Sequence, residues 1–216
     1  MVSHPKAHRA IHVGIPAPSC RYGLDAVWRG IQNLKEFGFE ISTGKFLRRG
    51  ANYGDPYAHV EARFEELVAF LRDPAIDIVW WADGGYGGAY LLPLLFQEHS
   101  RENFLPNKVL IGFSDANMVQ VFLSTLGFTV FLGPNVTLYN DNDEKDLRRA
   151  AELIATNGYA ALLHGTQSLE LSVDVHSVQP AVAVPWFACN FSILNTLWGS
   201  AYGPRSVHLN GGVLFL

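Results

Sequence analysis

Short apolar runs alternate with amphipathic stretches from Ile11 to about Thr156, and few folds accommodate that order. Ile11, Val13 and Ile15 alternate with other residues and predict a strand that Pro16 and Pro18 end. Val27, Ile31 and Leu34 share one helical face, closed by Gly38. The clearest helix runs from Tyr57 to Arg72, with Val60, Phe64, Leu67, Val68 and Leu71 at helical spacing, and Asp73-Pro74 stops it. A mostly buried strand follows over Ile76 to Trp81, and a second over Val109 to Phe113. Then come a helix over Asp115 to Leu126, a strand over Phe128 to Leu132, and a helix over Asp143 to Thr156. Strands alternating with helices imply a parallel sheet covered on both faces. In such sheets ligands bind beyond the carboxyl ends of the strands, which is where the loops after Trp81 and Phe113 lie.

The pattern changes after Gly158. Leu169, Leu171, Val173 and Val175 alternate with Glu170, Ser172, Asp174 and His176, as in a half-exposed strand of an antiparallel sheet. Residues Gly211 to Leu216 begin what reads as a core strand, and the sequence stops inside it. The expected organisation is an α/β domain of flavodoxin or Rossmann type over 1–140 and a connecting segment over 141–167. An incomplete, smaller, β-rich second domain would follow over 168–216.

Composition narrows the function classes. Apolar residues make up 49% of the chain, enough for a real core, and charged residues only 17%. The net charge of -4 leaves no basic footprint, so nucleic acid and anionic membranes are poor partners. Gly14, Pro16 and Pro18 interrupt any signal-like run near the start, and the longest apolar stretches are far below spanning length. The expectation is a soluble, cytoplasmic protein. Cys20 and Cys189 read as reduced, buried thiols rather than a disulfide framework. The histidines show no zinc-ligand spacing, so no metal and no cofactor is assigned. Trp80, Trp81, Trp186 and Trp198 read as core or domain-interface residues.

Two short motifs carry chemistry. Gly112-Phe113-Ser114-Asp115 places a serine between a strand and a helix, where its hydroxyl would be held out from the sheet edge. The amide of Asp115 would then sit at a helix N-terminus, suited to a developing oxyanion. Taken alone, a serine there reads first as the N-cap of the following helix and only second as a nucleophile. Asp83-Gly84-Gly85-Tyr86-Gly87-Gly88 follows a buried strand and lets backbone amides approach a ligand. It reads either as an oxyanion donor or phosphate cradle, or as a flexible turn. It lacks the spacing of a P-loop or of a dinucleotide fingerprint.

Taken in order, Asp83 to Leu95, Pro106 to Asp115 and Leu132-Gly133-Pro134 resemble the LD-carboxypeptidases, the muramoyltetrapeptide carboxypeptidases, whose scaffold the microcin C immunity peptidases share. Ile15 to Ser19 and Asn190 to Leu194 fit the same pattern. The resemblance implies a serine hydrolase with a Ser-Glu-His triad. Ser114 matches the nucleophile, and the amides of Asp115 and Gly85 match the oxyanion hole. Asp83, Gly84, Tyr86 and Asn190 match substrate-binding positions. The family's glutamate and histidine would follow Leu216, so the chain is expected to be a truncated, inactive form. Asp83 stands where the family usually has arginine, Asn117 where it has threonine, Leu132 where it has histidine, and Ala188-Cys189 where it has Gly-Gly.

An internal triad with Asp174 and His176, or with His208, respects the order Ser, acid, His, but each of these reads more simply as a solvated strand or loop residue. The implied activity is removal of a terminal D-amino acid from cytoplasmic murein tetrapeptides in peptidoglycan recycling, with the small peptide as partner and a homodimer open to the full-length form. The alternatives are an immunity-type amidase acting on aminoacyl nucleotide analogues, and a catalytically dead binding module.

Overall fold

The computed structural model describes residues 9–19, 23–49, 59–101, 104, 106–157, 186–205 and 213–215. Five short strands, β1 (His12–Ile15), β2 (Glu40–Thr43), β3 (Ile78–Trp80), β4 (Val109–Gly112) and β5 (Thr129–Leu132), form one sheet in the order β2-β1-β3-β4-β5. Every pair is parallel, with Val13 opposite Ile78, Ile78 opposite Val109 and Val109 opposite Thr129. Helices α1 (Leu24–Glu36), α2 (Lys45–Arg49), α3 (Val60–Arg72), α4 (Leu92–Arg101), α5 (Ala116–Thr125) and α6 (Asp141–Asn157) intervene, with a 3₁₀ turn at Gly88–Leu91. This is the α/β fold of flavodoxin-like order that the alternation implies.

Both sheet faces are covered because neighbouring strand residues point to opposite sides. Ile78, Trp80, Val109 and Ile111 pack with α1 and α6 residues such as Val27, Ile31 and Leu147. Val79, Trp81 and Leu110 pack on the other face with Leu67, Leu95, Val119 and Phe122. Trp80 and Trp81, both fully buried, therefore serve different cores. Lys108 is buried just before β4 and is held by the carbonyls of Asp73 and Ile76, at the edge opposite the strands' carboxyl ends. Burial pushes its ammonium below the usual lysine range.

Beyond 185, β6 (Trp186–Ala188) and β7 (Val213–Phe215) pair in parallel, and α7 (Phe191–Leu197) lies between them in sequence. Ile193, Leu194 and Leu197 belong to the same apolar cluster as α5, so this segment packs on the first domain. The expected strand over 169–175 lies outside the described residues, as do Cys20, Asp174, His176 and His208. Cys189 is buried, and that burial raises its thiol to about 11. Trp198, expected in the core or at an interface, is 58% exposed. Among the described residues no helix is long and apolar enough to cross a membrane.

Candidate active site

β4 ends at Gly112, and α5 begins at Ala116. The turn between them is strained at Ser114, whose φ is +64°. A left-handed conformation costs an L-residue about 1–2 kcal/mol and persists only where surrounding contacts dictate it. The capping reading of Ser114 does not hold. Asp115 occupies the N-cap position of α5, with no side-chain capping bond. The backbone carbonyls of Ser114 and Asp115 accept the amides of Asn117 and Met118 in the first turn of α5. Among the described residues the Ser114 hydroxyl makes no hydrogen bond.

The serine faces the glycine loop. A methyl group at Gly84 would come within 2.9 Å of Ser114 Cβ and 3.3 Å of its Oγ, so only glycine permits this approach. Gly85 follows with φ +86°. Among the described residues neither the Gly85 nor the Asp115 amide donates a hydrogen bond, which leaves two donors unspent beside the hydroxyl.

Phe113, expected as the last strand residue, lies outside β4 and is 48% exposed. Its backbone is held by a side chain instead. The Phe113 N–H donates to Asn135 Oδ1 at 2.9 Å, and Asn135 Nδ2 donates to the Phe113 carbonyl at 3.3 Å. The Asn135 amide thus imitates a neighbouring strand just past the end of β5. Sequence reasoning missed this residue, although its place directly after Gly133-Pro134 at the same sheet edge was a usable signal.

Ser114, Gly84, Gly85 and Asp83 line one cleft of about 760 Å³, together with Phe113, Leu132, Asn135, Tyr139, Asp143, Asp146, Arg149 and Leu153. The wall is mixed, with apolar side chains between three carboxylates and one guanidinium. Asp83 accepts from the Gly84 amide at 2.7 Å and from the Tyr139 hydroxyl. Burial raises its carboxyl above the usual range, and the bonds from Tyr139, Gly84 and Asn135 draw it partly back. The Tyr139 hydroxyl is pushed up in turn by burial and by that same carboxylate.

The other sequence candidates divide. Asp115 adjoins Ser114, but its side chain points elsewhere, and its Oδ2 accepts from Ser19 Oγ and from the Gly88 amide, each at 2.7 Å. Tyr86 is 63% exposed and is not among the lining residues. Asn190 is the N-cap of α7, its Oδ1 accepting from the amide and hydroxyl of Ser192, and it too is absent from the lining. No histidine lines the cleft among the described residues.

Comparison with known proteins bears on the family and the fold. The family model for the LD-carboxypeptidase N-terminal domain matches residues 13–133. A murein tetrapeptide carboxypeptidase of Pseudomonas aeruginosa is 30% identical over 125 residues, 58% of this chain and 39% of that protein. An MccF-like protein of Streptococcus pneumoniae, solved in complex with AMP, is 30% identical with a TM-score of 0.53, over 59% of this chain and 38% of its own. A muramoyltetrapeptide carboxypeptidase of Oxalobacter formigenes shares the fold at 21% identity and a TM-score of 0.56, over 90% of this chain and 62% of its own. The aligned chain thus spans about two fifths of the first two relatives. The match covers more than half of the sequence and contains the glycine loop, the serine turn and the five strands of the sheet apart from His12, so the chain belongs to the LD-carboxypeptidase family.

Proposed function

We propose that the protein is a serine-type LD-carboxypeptidase that cleaves the bond between an L-centre and a terminal D-amino acid in cytoplasmic murein tetrapeptides. The observation that carries this reading is the strained Ser114, without a hydrogen bond from its hydroxyl among the described residues, packed against Gly84 and lining one cleft with Gly85. Ser114 Oγ attacks the carbonyl carbon, and the oxygen that becomes anionic turns toward the amides of Asp115 and Gly85. The amine of the D-amino acid leaves with a proton, and water then hydrolyses the acyl-enzyme. A general base takes the hydroxyl proton, and among the described residues no histidine lines the cleft. The carboxypeptidase name of a 30% identical relative supports this substrate class.

A second reading is an immunity-type amidase acting on aminoacyl nucleotide analogues, favoured by the AMP complex of the 30% identical MccF-like protein. The two separate in one experiment. The protein and its Ser114→Ala variant are incubated with a murein tetrapeptide and with an aminoacyl sulfamoyl nucleoside, and the released amino acids are quantified. D-Alanine release that Ser114→Ala abolishes supports the carboxypeptidase. Release from the nucleoside alone supports the amidase. Binding of either compound without turnover by both forms favours a catalytically dead binding module.

A further inference from the structure

The Asp115 carboxylate has no part in the chemistry so far, because the mechanism uses only its backbone amide. Its geometry is nevertheless specific. One oxygen, Oδ2, takes two donors at 2.7 Å, the hydroxyl of Ser19 and the amide of Gly88. Ser19 is 3% exposed and belongs to the loop after β1. Gly88 opens the 3₁₀ turn at the far end of the glycine loop. A methyl group at Gly88 would lie 2.8 Å from that same Oδ2, so the contact is tight enough to exclude a side chain. Arg63 of α3 is buried and donates to the carbonyl of Pro18, beside Ser19. Its positive charge also acts on Asp115 and offsets part of the cost of burying a carboxylate near a site where negative charge develops.

We propose that the Asp115 carboxylate is a positioning residue, a clamp that joins the loop after β1, the glycine loop and the serine turn and so sets the separation of the Gly85 and Asp115 amides. The inference rests on the reading of Ser114 as nucleophile with those two amides as its oxyanion donors. Gly85 lies three residues before Gly88 in the same loop, with a left-handed φ of +86°. The bond from the Gly88 amide to Asp115 Oδ2 ties the loop to the serine turn, beside the close packing of Gly84 on Ser114. Misplacing an oxyanion donor weakens it steeply, since deleting one costs on the order of 10²–10³ in rate.

The test pairs a chemical and a structural measurement on the full chain. Ser114 is treated with a fluorophosphonate, in which Oγ bonds to phosphorus, fluoride leaves and the hydroxyl proton passes to solvent, and labelling is followed by intact mass. Amide hydrogen exchange is followed over residues 84–91. Asp115→Ala is expected to slow labelling about tenfold or more at saturating probe, with little change in half-saturation, and to speed exchange over 84–91. Asp115→Asn keeps one acceptor oxygen and is expected to recover most of the lost rate. Ser19→Ala, the milder variant, should fall between them. Labelling absent in the wild type and in Ser114→Ala alike would remove the nucleophile reading, while exchange would still judge the clamp. Unchanged exchange over 84–91 in Asp115→Ala and Ser19→Ala, or an Asp115→Asn variant no better than Asp115→Ala, would overturn it.

Discussion

Ser114 pays for its position in backbone strain, and that cost can be measured. At φ +64° a glycine carries no Cβ penalty, whereas alanine keeps it. Ser114→Gly should therefore be more stable than Ser114→Ala by about 1 kcal/mol, or roughly 2–4 °C in Tm for a chain of this size. Both variants should lose turnover. Equal melting temperatures in calorimetry would show that the turn is not held against its preference. Asp83 invites a second substitution at this scale. It lines the cleft as a carboxylate where the resembling family usually carries arginine. In an enzyme completed with the family's glutamate and histidine, Asp83→Arg should lower KM for acidic peptides with little change in kcat, and an effect confined to kcat would refute a binding role.

At the scale of elements, the site depends on how closely α1 sits against the segment after β5. A methyl group at Gly30 would approach the Val136 carbonyl to 1.7 Å. The Val136 amide bonds to the Trp81 carbonyl, and the Leu138 amide to the Ala26 carbonyl, so this segment ties α1 to the end of β3. Alanine normally stabilises a helix over glycine by about 1 kcal/mol. Gly30→Ala should do the reverse and destabilise by about 1–3 kcal/mol, because the helix must move away from backbone rather than from a flexible side chain. Urea denaturation measures the sign directly. The same displacement would shift Tyr139 and Asp83, so substrate binding should weaken with stability. Leu194→Ala tests the packing of α7 on α5, where loss of a buried side chain should cost about 2–5 kcal/mol.

For the whole molecule, three carboxylates share one consequence. Burial raises the pKa of Glu66, Asp83 and Asp115 in the folded chain. Only well below the reference values of about 3.9–4.3 are all three protonated in folded and unfolded chains alike. As the pH rises, the unfolded chain ionises first while the folded carboxyls resist. Their contribution to stability is therefore present at low pH and is lost as the pH climbs through the raised values. Asp83→Asn keeps a partner for both Gly84 and Tyr139, since the tyrosine hydroxyl can also accept. Its urea midpoint should exceed the wild type's near neutrality, and the difference should shrink as the pH falls through about 4. A difference that grows toward acid pH would contradict the burial argument.

The alternation of apolar runs by itself determined the parallel sheet, four of its five strands to within a few residues, and the helices α1, α3, α5 and α6. Periodicity reports which side of a local axis is buried, and a doubly covered parallel sheet demands that signal at nearly every element. β2 escaped because Glu40–Thr43 is a short, half-exposed edge strand without a full apolar run. The position of Ser114 and of the glycine loop was legible too, since each lies where a strand stops. Only the tertiary structure decided that Ser114 is no cap, that Asn135 completes the sheet edge at Phe113, and that Asp115 turns toward Ser19. Ser19 and Asp115 are 96 residues apart, and no local pattern encodes their meeting. The strand order does so, because placing β3 between β1 and β4 gathers the loops at their carboxyl ends into one site.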